Sequence, residues 1–236
     1  MYKRQLVNNI NSILKDLTKN KAMRKYGRIV LPLKDKEDEI KERLKHICGI
    51  KYFSFAKIVP LDIERIKEIA LEMVKEKEGS FKIETTRSNK NFFMNSIEMN
   101  QIVGEHIVKK LKRKVDLKNP DITIFIEICE KEGYVYSKKI QGIGGLPIIP
   151  SEKVMSLLSG GIDSAVASFL MMKRGCKVIF LHFFNKTIHS SFIREKIERL
   201  AERLASYQIK SKLYMVPFGD IQREIIKKVP AKQRMI

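Results

Sequence analysis

Apolar positions along the chain recur at helical spacing in some stretches and alternate, or run continuously, in the segments between them. Leu6, Ile10, Ile13, Leu14 and Leu17 predict a helix over 6–17. Residues 27–33 read as a short strand, and Ile40, Leu44 and Ile47 form one face of a helix over 37–47 that Gly49 stops. The mixed aromatic and aliphatic run 50–59 predicts one strand, and Ile63, Ile66, Ile69, Ala70 and Val74 predict a helix over 61–75. From Ser80 to Arg87 the side chains alternate as in a half-buried strand, followed by a polar loop, Ser88-Asn-Lys-Asn. A helix over 97–111, a turn at Asn119-Pro-Asp, a strand over 122–129 and a neighbouring strand over 134–140 complete this part.

The pattern then changes. Gly142-Ile-Gly-Gly-Leu-Pro breaks regular structure and reads, through residue 152, as a linker. Beyond it, continuous apolar runs over 153–158 and 177–183 alternate with helices over 165–173 and 192–206, and a third strand follows over 211–216. This βαβαβ series is the start of a parallel, doubly wound sheet. The fold class is therefore mixed α/β and α+β in several domains: an N-terminal α+β part over 1–75, a second unit over 76–141, the linker 142–152 and the parallel sheet over 153–236.

Composition narrows the function classes. Hydrophobic residues at 44% and charged residues at 31% of 236 exclude a disordered or fibrous chain. No run approaches the roughly 20 apolar residues of a membrane span, and the first residues lack the apolar stretch of a secretory signal, so the expectation is a cytoplasmic protein without a membrane partner. The 47 basic against 27 acidic residues give a net charge of +20, which suits a polyanionic partner. A plainer source is general lysine enrichment, since many lysines sit in mixed-charge helices such as 35–45. Cys48, Cys129 and Cys176 show no CxxC spacing and predict neither a metal site nor a disulfide framework, so no metal ligand is assigned.

Ser159-Gly160-Gly161-Ile162-Asp163-Ser164 lies between the first strand and first helix of the parallel series. Glycines there let the backbone approach an anion closely, and the helix start points N–H groups at the same place, so the loop can cradle phosphate. It carries no lysine and is not a Walker A loop. The alternative is an ordinary strand-to-helix turn with Asp163 or Ser164 as N-cap.

Ser-Gly-Gly-x-Asp-Ser directly after an apolar strand resembles the PP-loop of the ATP pyrophosphatases, whose fold is adenine-nucleotide alpha-hydrolase-like. The resemblance extends further. Phe81-Lys82-Ile83, Arg87, Lys90-Asn-Phe, Asn95-Ser96, Val103-Gly104-Glu105, residues 115–121 and 124–127 resemble a THUMP RNA-binding domain, with a span of about 34–141. Gly142-x-Gly-Gly-Leu-Pro running into the loop, then Lys173-Arg-Gly, His182-Phe183 and residues 216–230, is similar to the tRNA 4-thiouridine synthase (tRNA sulfurtransferase) family.

That resemblance implies a ferredoxin-like N-terminal domain and a THUMP domain that grip tRNA, with a PP-loop domain that uses ATP and Mg²⁺ to adenylate a uridine carbonyl. Persulfide sulfur from a cysteine desulfurase, or sulfur from another persulfide or sulfide donor, then displaces AMP, giving 4-thiouridine at position 8, and the family also supplies sulfur for thiamine thiazole synthesis. It implies ATP contacts at Leu157, Leu158, Ser159, Gly160, Gly161, Ile162, Asp163, Ser164, His182 and Phe183, with Asp163 aiding the metal or ordering the loop. A structural role for His182 stays open. Phosphate contacts to RNA fall on Lys82, Arg87, Lys90, Lys109, Lys110, Lys112, Arg113 and Lys114, although the last five also suit the carboxyl end of a helix. A homodimer is a further expectation.

The chain departs from the family pattern at Ala165 and Ile149, usually proline and glycine, and matches neither its opening strand nor the segment holding its catalytic cysteine. None of the three cysteines takes that role. Two other readings remain: an RNA-binding fragment without turnover, and a different PP-loop adenylating enzyme.

Overall fold

A computed structural model describes residues 2–185 and 191–230, so part of the expected 153–236 domain lies outside the described residues. The chain runs α1 (Tyr2–Ile13), β1 (Met23–Lys25), β2 (Arg28–Val30), α2 (Glu37–Lys45), β3 (Tyr52–Phe53), β4 (Lys57–Val59), α3 (Ile63–Lys75), β5 (Phe81–Arg87) and α4 (Ser96–Leu111). It continues with β6 (Ile122–Ile128), β7 (Gly133–Tyr136), β8 (Ile140–Gln141), β9 (Ile149–Leu157), α5 (Ile162–Lys173), β10 (Cys176–Phe184), α6 (Ser191–Ala205), β11 (Leu213–Pro217) and α7 (Gly219–Lys228). Two compact units result: the described residues of Met1–Arg24, Ile29–Lys51 and Gly142–Ile236, and those of Lys25–Arg28 and Tyr52–Gln141.

In the second unit a four-stranded sheet in the order β4-β7-β6-β5 pairs β5 and β6 in parallel through the α4 crossover, with β7 antiparallel to β6 and β4. One face carries Phe81, Ile83, Ile122, Ile124, Ile126, Ile128 and Val135 against Ile66, Ile69, Ala70 and Val74 of α3 and Met99, Val103 and Ile107 of α4. Local signals fix both helices: Asp62 caps α3 through the Arg65 N–H, and Asn95 with Glu98 forms a capping box on α4. Two expectations change here. The runs 50–59 and 134–140 each break into two strands because their halves pair differently, β3 with β8 and β4 with β7. The helix assigned to the N-terminal part, α3, instead supplies core residues to the 76–141 unit, because its apolar face matches that sheet.

In the first unit, β11-β10-β9 form a parallel sheet. Val154, Val178, Phe180, Leu213 and Met215 pack under Met172 of α5 and Ile197, Ala201 and Leu204 of α6. Right-handed crossovers advancing in one direction across a sheet put both helices on one face, which is the arrangement found. The expected linker is a hydrogen-bonded strap: Gly144 donates to Ile50 O at 2.8 Å, Gly49 to Gly144 O at 2.8 Å and Leu146 to Lys173 O at 2.8 Å. Its last residues, from Ile149, already belong to β9, since Ile149 pairs with Cys176. Gly145, at φ +80°, admits no side chain, because a Cβ there would lie 2.4 Å from Lys173 O.

Candidate functional site

The loop Ser159–Ser164 sits where β9 ends and α5 begins, at the carboxyl ends of the parallel strands, the edge at which such sheets bind ligands. Its conformation needs glycine at 160, where φ is +80°. Ser164 Oγ accepts from Ser159 N at 3.2 Å and Ser159 Oγ at 3.1 Å and donates to Gly161 O at 3.0 Å, while Gly161 N reaches Ser159 Oγ at 3.4 Å. The N-cap is Gly161, with no side-chain cap. An N-cap role for Asp163 or Ser164 therefore does not hold: both lie inside the first turn, and the start of α5 offers its N–H groups and dipole to an anion.

The four hydrophobic or aromatic residues expected around a nucleotide divide by strand parity. Leu158 is buried and Leu157 is 61% exposed; His182 is buried and Phe183 is 44% exposed. His182 Nδ1 donates to Leu158 O at 2.7 Å, tying β10 to the strand end beneath the loop. Leu158 and His182 thus stand on the helix-covered face, and Leu157 and Phe183 on the other, where the Phe183 ring meets Phe218 at 5.2 Å. Ile162 is exposed beside the loop, and so is Asp163.

Sequence reasoning missed a hydroxyl chain that fixes the helix start. Ser168 Oγ donates to Ser164 O at 2.7 Å and lies 2.7 Å from Ser156 Oγ, so strand, helix and loop are tied in one line. The signal was the i, i+4 spacing of Ser164 and Ser168, with Ser168 fully buried among apolar neighbours.

The basic candidates in the second unit differ in availability. Arg87 donates to Phe92 O at 2.9 Å and Met94 O at 2.7 Å, so its guanidinium holds the 88–94 loop. Lys82 pairs with Glu84 at 3.3 Å, Lys109 approaches Glu105 at 4.0 Å and Arg113 donates to Gly79 O at 3.3 Å. Lys90, Lys110, Lys112 and Lys114 are exposed. The 109–114 cluster gathers at the carboxyl end of α4, where Lys112 is the C-cap at φ 53°. These cations also offset the helix dipole.

Cys48 and Cys129 are buried and Cys176 is half-buried. Burial pushes the Cys48 thiol up to about 11. Among the described residues no group of three or more His, Cys, Asp or Glu side chains could hold a metal, and no helix is long and apolar enough to cross a membrane.

Three family models match the chain in sequence order: the ThiI ferredoxin-like domain over residues 1–54, the THUMP domain over 62–138 and Thiamine biosynthesis protein (ThiI) over 149–236. A probable tRNA sulfurtransferase of Thermoanaerobacter pseudethanolicus is 40% identical over 233 residues, which cover 98% of this chain and 61% of the relative. One from Bacillus pumilus is 38% identical, covering 98% and 59%. A crystal structure of a 4-thiouridine synthetase–RNA complex with bound ATP matches with a TM-score of 0.87 at 28% identity, covering 98% of this chain and 61% of that one. A crystal structure from Pyrococcus horikoshii matches with a TM-score of 0.81 at 32% identity, covering 96% and 78%. The chain spans about three fifths of the length of the curated relatives it matches.

Proposed function

This chain belongs to the ThiI family, and on that premise we propose that it is the RNA- and ATP-binding portion of a tRNA sulfurtransferase. The carrying observation is the uncapped start of α5 behind Ser159-Gly160-Gly161, a loop whose Ser159 and Ser164 hydroxyls hold one another and the Ser159 and Gly161 N–H groups at that helix start. There the loop binds the β- and γ-phosphates of ATP, leaving the α-phosphorus open to attack.

In the complete reaction, O4 of a tRNA uridine attacks the α-phosphorus and pyrophosphate leaves, giving a uridine adenylate. The terminal sulfur of a persulfide then adds to C4 and AMP departs with the former O4, leaving a disulfide to C4; a second thiol attacks the inner sulfur, forming a disulfide with it and releasing 4-thiouridine at position 8. Donors fixed around the departing pyrophosphate stabilise charge where it develops. Asp163, one exposed carboxylate beside the phosphate position, fits Mg²⁺, which takes one or two carboxylates together with substrate phosphates. That ion would neutralise phosphate charge. Leu157, Ile162, Phe183 and Phe218 offer apolar surface to the nucleoside, while Leu158 and His182 support the loop from below.

The second unit reads the RNA backbone through Lys90, Lys110, Lys112 and Lys114, with Lys82, Lys109 and Arg113 adding charge and Arg87 shaping the loop that carries Lys90. A persulfide donor such as a cysteine desulfurase, a homodimer, cytoplasmic location and sulfur supply for thiazole synthesis belong to the same reading. The test is binding of an unmodified tRNA transcript over a salt series, beside a duplex RNA of similar length, with ATP–Mg²⁺ binding measured in parallel. Preferential tRNA binding with a steep salt slope, together with ATP binding, is expected. Equal, weak binding to both RNAs without ATP binding contradicts it.

A further inference from the structure

The loop carries no cation of its own, and Asp163 in the following turn adds a negative charge at the position proposed for phosphate. A pyrophosphate bound there needs positive charge from elsewhere in the fold. Helix α6 supplies a candidate. Ile197 of α6 is fully buried in the core under the sheet, and a Cβ built on Gly160 would lie 3.1 Å from its Cδ1 and 3.9 Å from Cε of Lys196. The packing that seats Ile197 thus brings the stem of the preceding lysine to the glycine of the loop.

Around it, α6 is laced with ion pairs, Arg194 with Glu198 at 2.8 Å and Arg199 with Glu195 at 2.6 Å. Lys196 is exposed and forms no ion pair with a described residue. A lysine whose stem reaches the loop glycine, beside a phosphate loop that lacks a cation, has a charge to spare for a ligand. Read along the sequence alone, it is one more solvated residue of a mixed-charge helix.

We propose that Lys196 is a phosphate-binding residue of this site, its ammonium meeting the pyrophosphate portion of the nucleotide across Gly160. The absence of a side chain at 160 then serves two ends: it permits the positive φ, and it keeps the path between α6 and the phosphates clear. This assignment rests on the reading of the loop as a nucleotide-phosphate site.

The test uses the whole chain and three probes, ATP with Mg²⁺, inorganic pyrophosphate and AMP, titrated against wild type, Lys196→Ala, Lys196→Glu and Arg199→Ala, with thermal unfolding to check that each variant is folded. Expected for Lys196→Ala is a loss of about tenfold or more in affinity for ATP and pyrophosphate, as for a charge-assisted hydrogen bond, with AMP little changed. Lys196→Glu should be weaker still, and Arg199→Ala, the same charge change on the same helix, close to wild type. Wild-type affinity in Lys196→Ala, equal effects of Ala and Glu, an equal loss of AMP, or an equal loss in Arg199→Ala would each overturn the role of Lys196 while leaving the loop reading intact. A wild-type chain that binds neither ATP nor pyrophosphate would overturn the loop reading, and this assignment with it.

Discussion

The two larger sheets of the molecule are covered differently. In the second unit, helices α3 and α4 close one face over a row of buried isoleucines. On the other face the short segment Lys25–Arg28 binds back, with Arg28 on Glu127 and Lys25 on Glu132 at 2.7 Å. Tyr136 donates to Glu127 at 2.8 Å and Tyr134 to Glu132, and burial above all raises both phenol pKa values. In the first unit, α5 and α6 cover only one face of the parallel sheet, and Met155, Leu157, Phe183 and Tyr214 stand exposed on the other, Met155 and Leu157 at about 60%. One sheet is stabilised from both sides; among the described residues the other packs the face that anchors the loop, with the strand ends on its opposite face exposed.

Substitutions can break that comparison. Phe81→Ala, at a fully buried position of the closed sheet, should cost about 3–5 kcal/mol in chemical unfolding of the second unit. Gly145→Ala should cost the first unit about 2 kcal/mol or more in the same measurement, because the new Cβ meets Lys173 O at a positive φ. Met155→Ala, on the uncovered face, should cost less than about 1 kcal/mol. A Met155→Ala cost equal to that of Phe81→Ala would mean that the open face is covered in solution.

The smallest effect concerns pH. The Ser80 hydroxyl and then the Ser80 N–H hold the Asp121 carboxyl below its ordinary value, and both bonds are 2.7 Å long. A depressed carboxyl stabilises the fold above the unfolded value of about 4 and loses that contribution as pH falls through the folded value. The difference in melting temperature between wild type and Asp121→Asn should therefore be present at pH 7 and shrink below about pH 4. A pH-independent difference would assign the effect to packing. In thiol labelling of the native chain, Cys176 should react before the buried Cys48 and Cys129, and the order should persist to pH 9, since Cys48 titrates only near 11.

Much of this was legible along the chain, and its failures have physical causes. Helices with one apolar face, α3 and α4, lie within a few residues of their sequence-based bounds, because that face runs their length; the Asp62 and Asn95 caps that fix their starts emerged only in the structure. The run 50–59 could not reveal two strands, since β3 and β4 are separated by their pairing partners, which lie far away in sequence. The apolar runs of β9 and β10 implied burial on both faces, whereas among the described residues only alternate positions are covered. At the site, the loop was visible as Ser-Gly-Gly-x-Asp-Ser, but parity along the strands decided that His182 and Leu158 point to the core and Leu157 and Phe183 away from it. Arg87 looked like any basic residue until the Phe92 and Met94 carbonyls claimed its guanidinium.

The central claim is a division of labour, with nucleotide at the Ser159–Ser164 loop and RNA on the basic cluster of the second unit. Its most direct test measures ATP–Mg²⁺ and tRNA affinity on two variants of the same chain, Asp163→Ala and the combined Lys110→Gln, Lys112→Gln and Lys114→Gln. The account predicts that the first loses ATP and keeps tRNA, and that the second keeps ATP while its tRNA salt slope falls by about one unit per lysine removed. Loss of both ligands in each folded variant would contradict it.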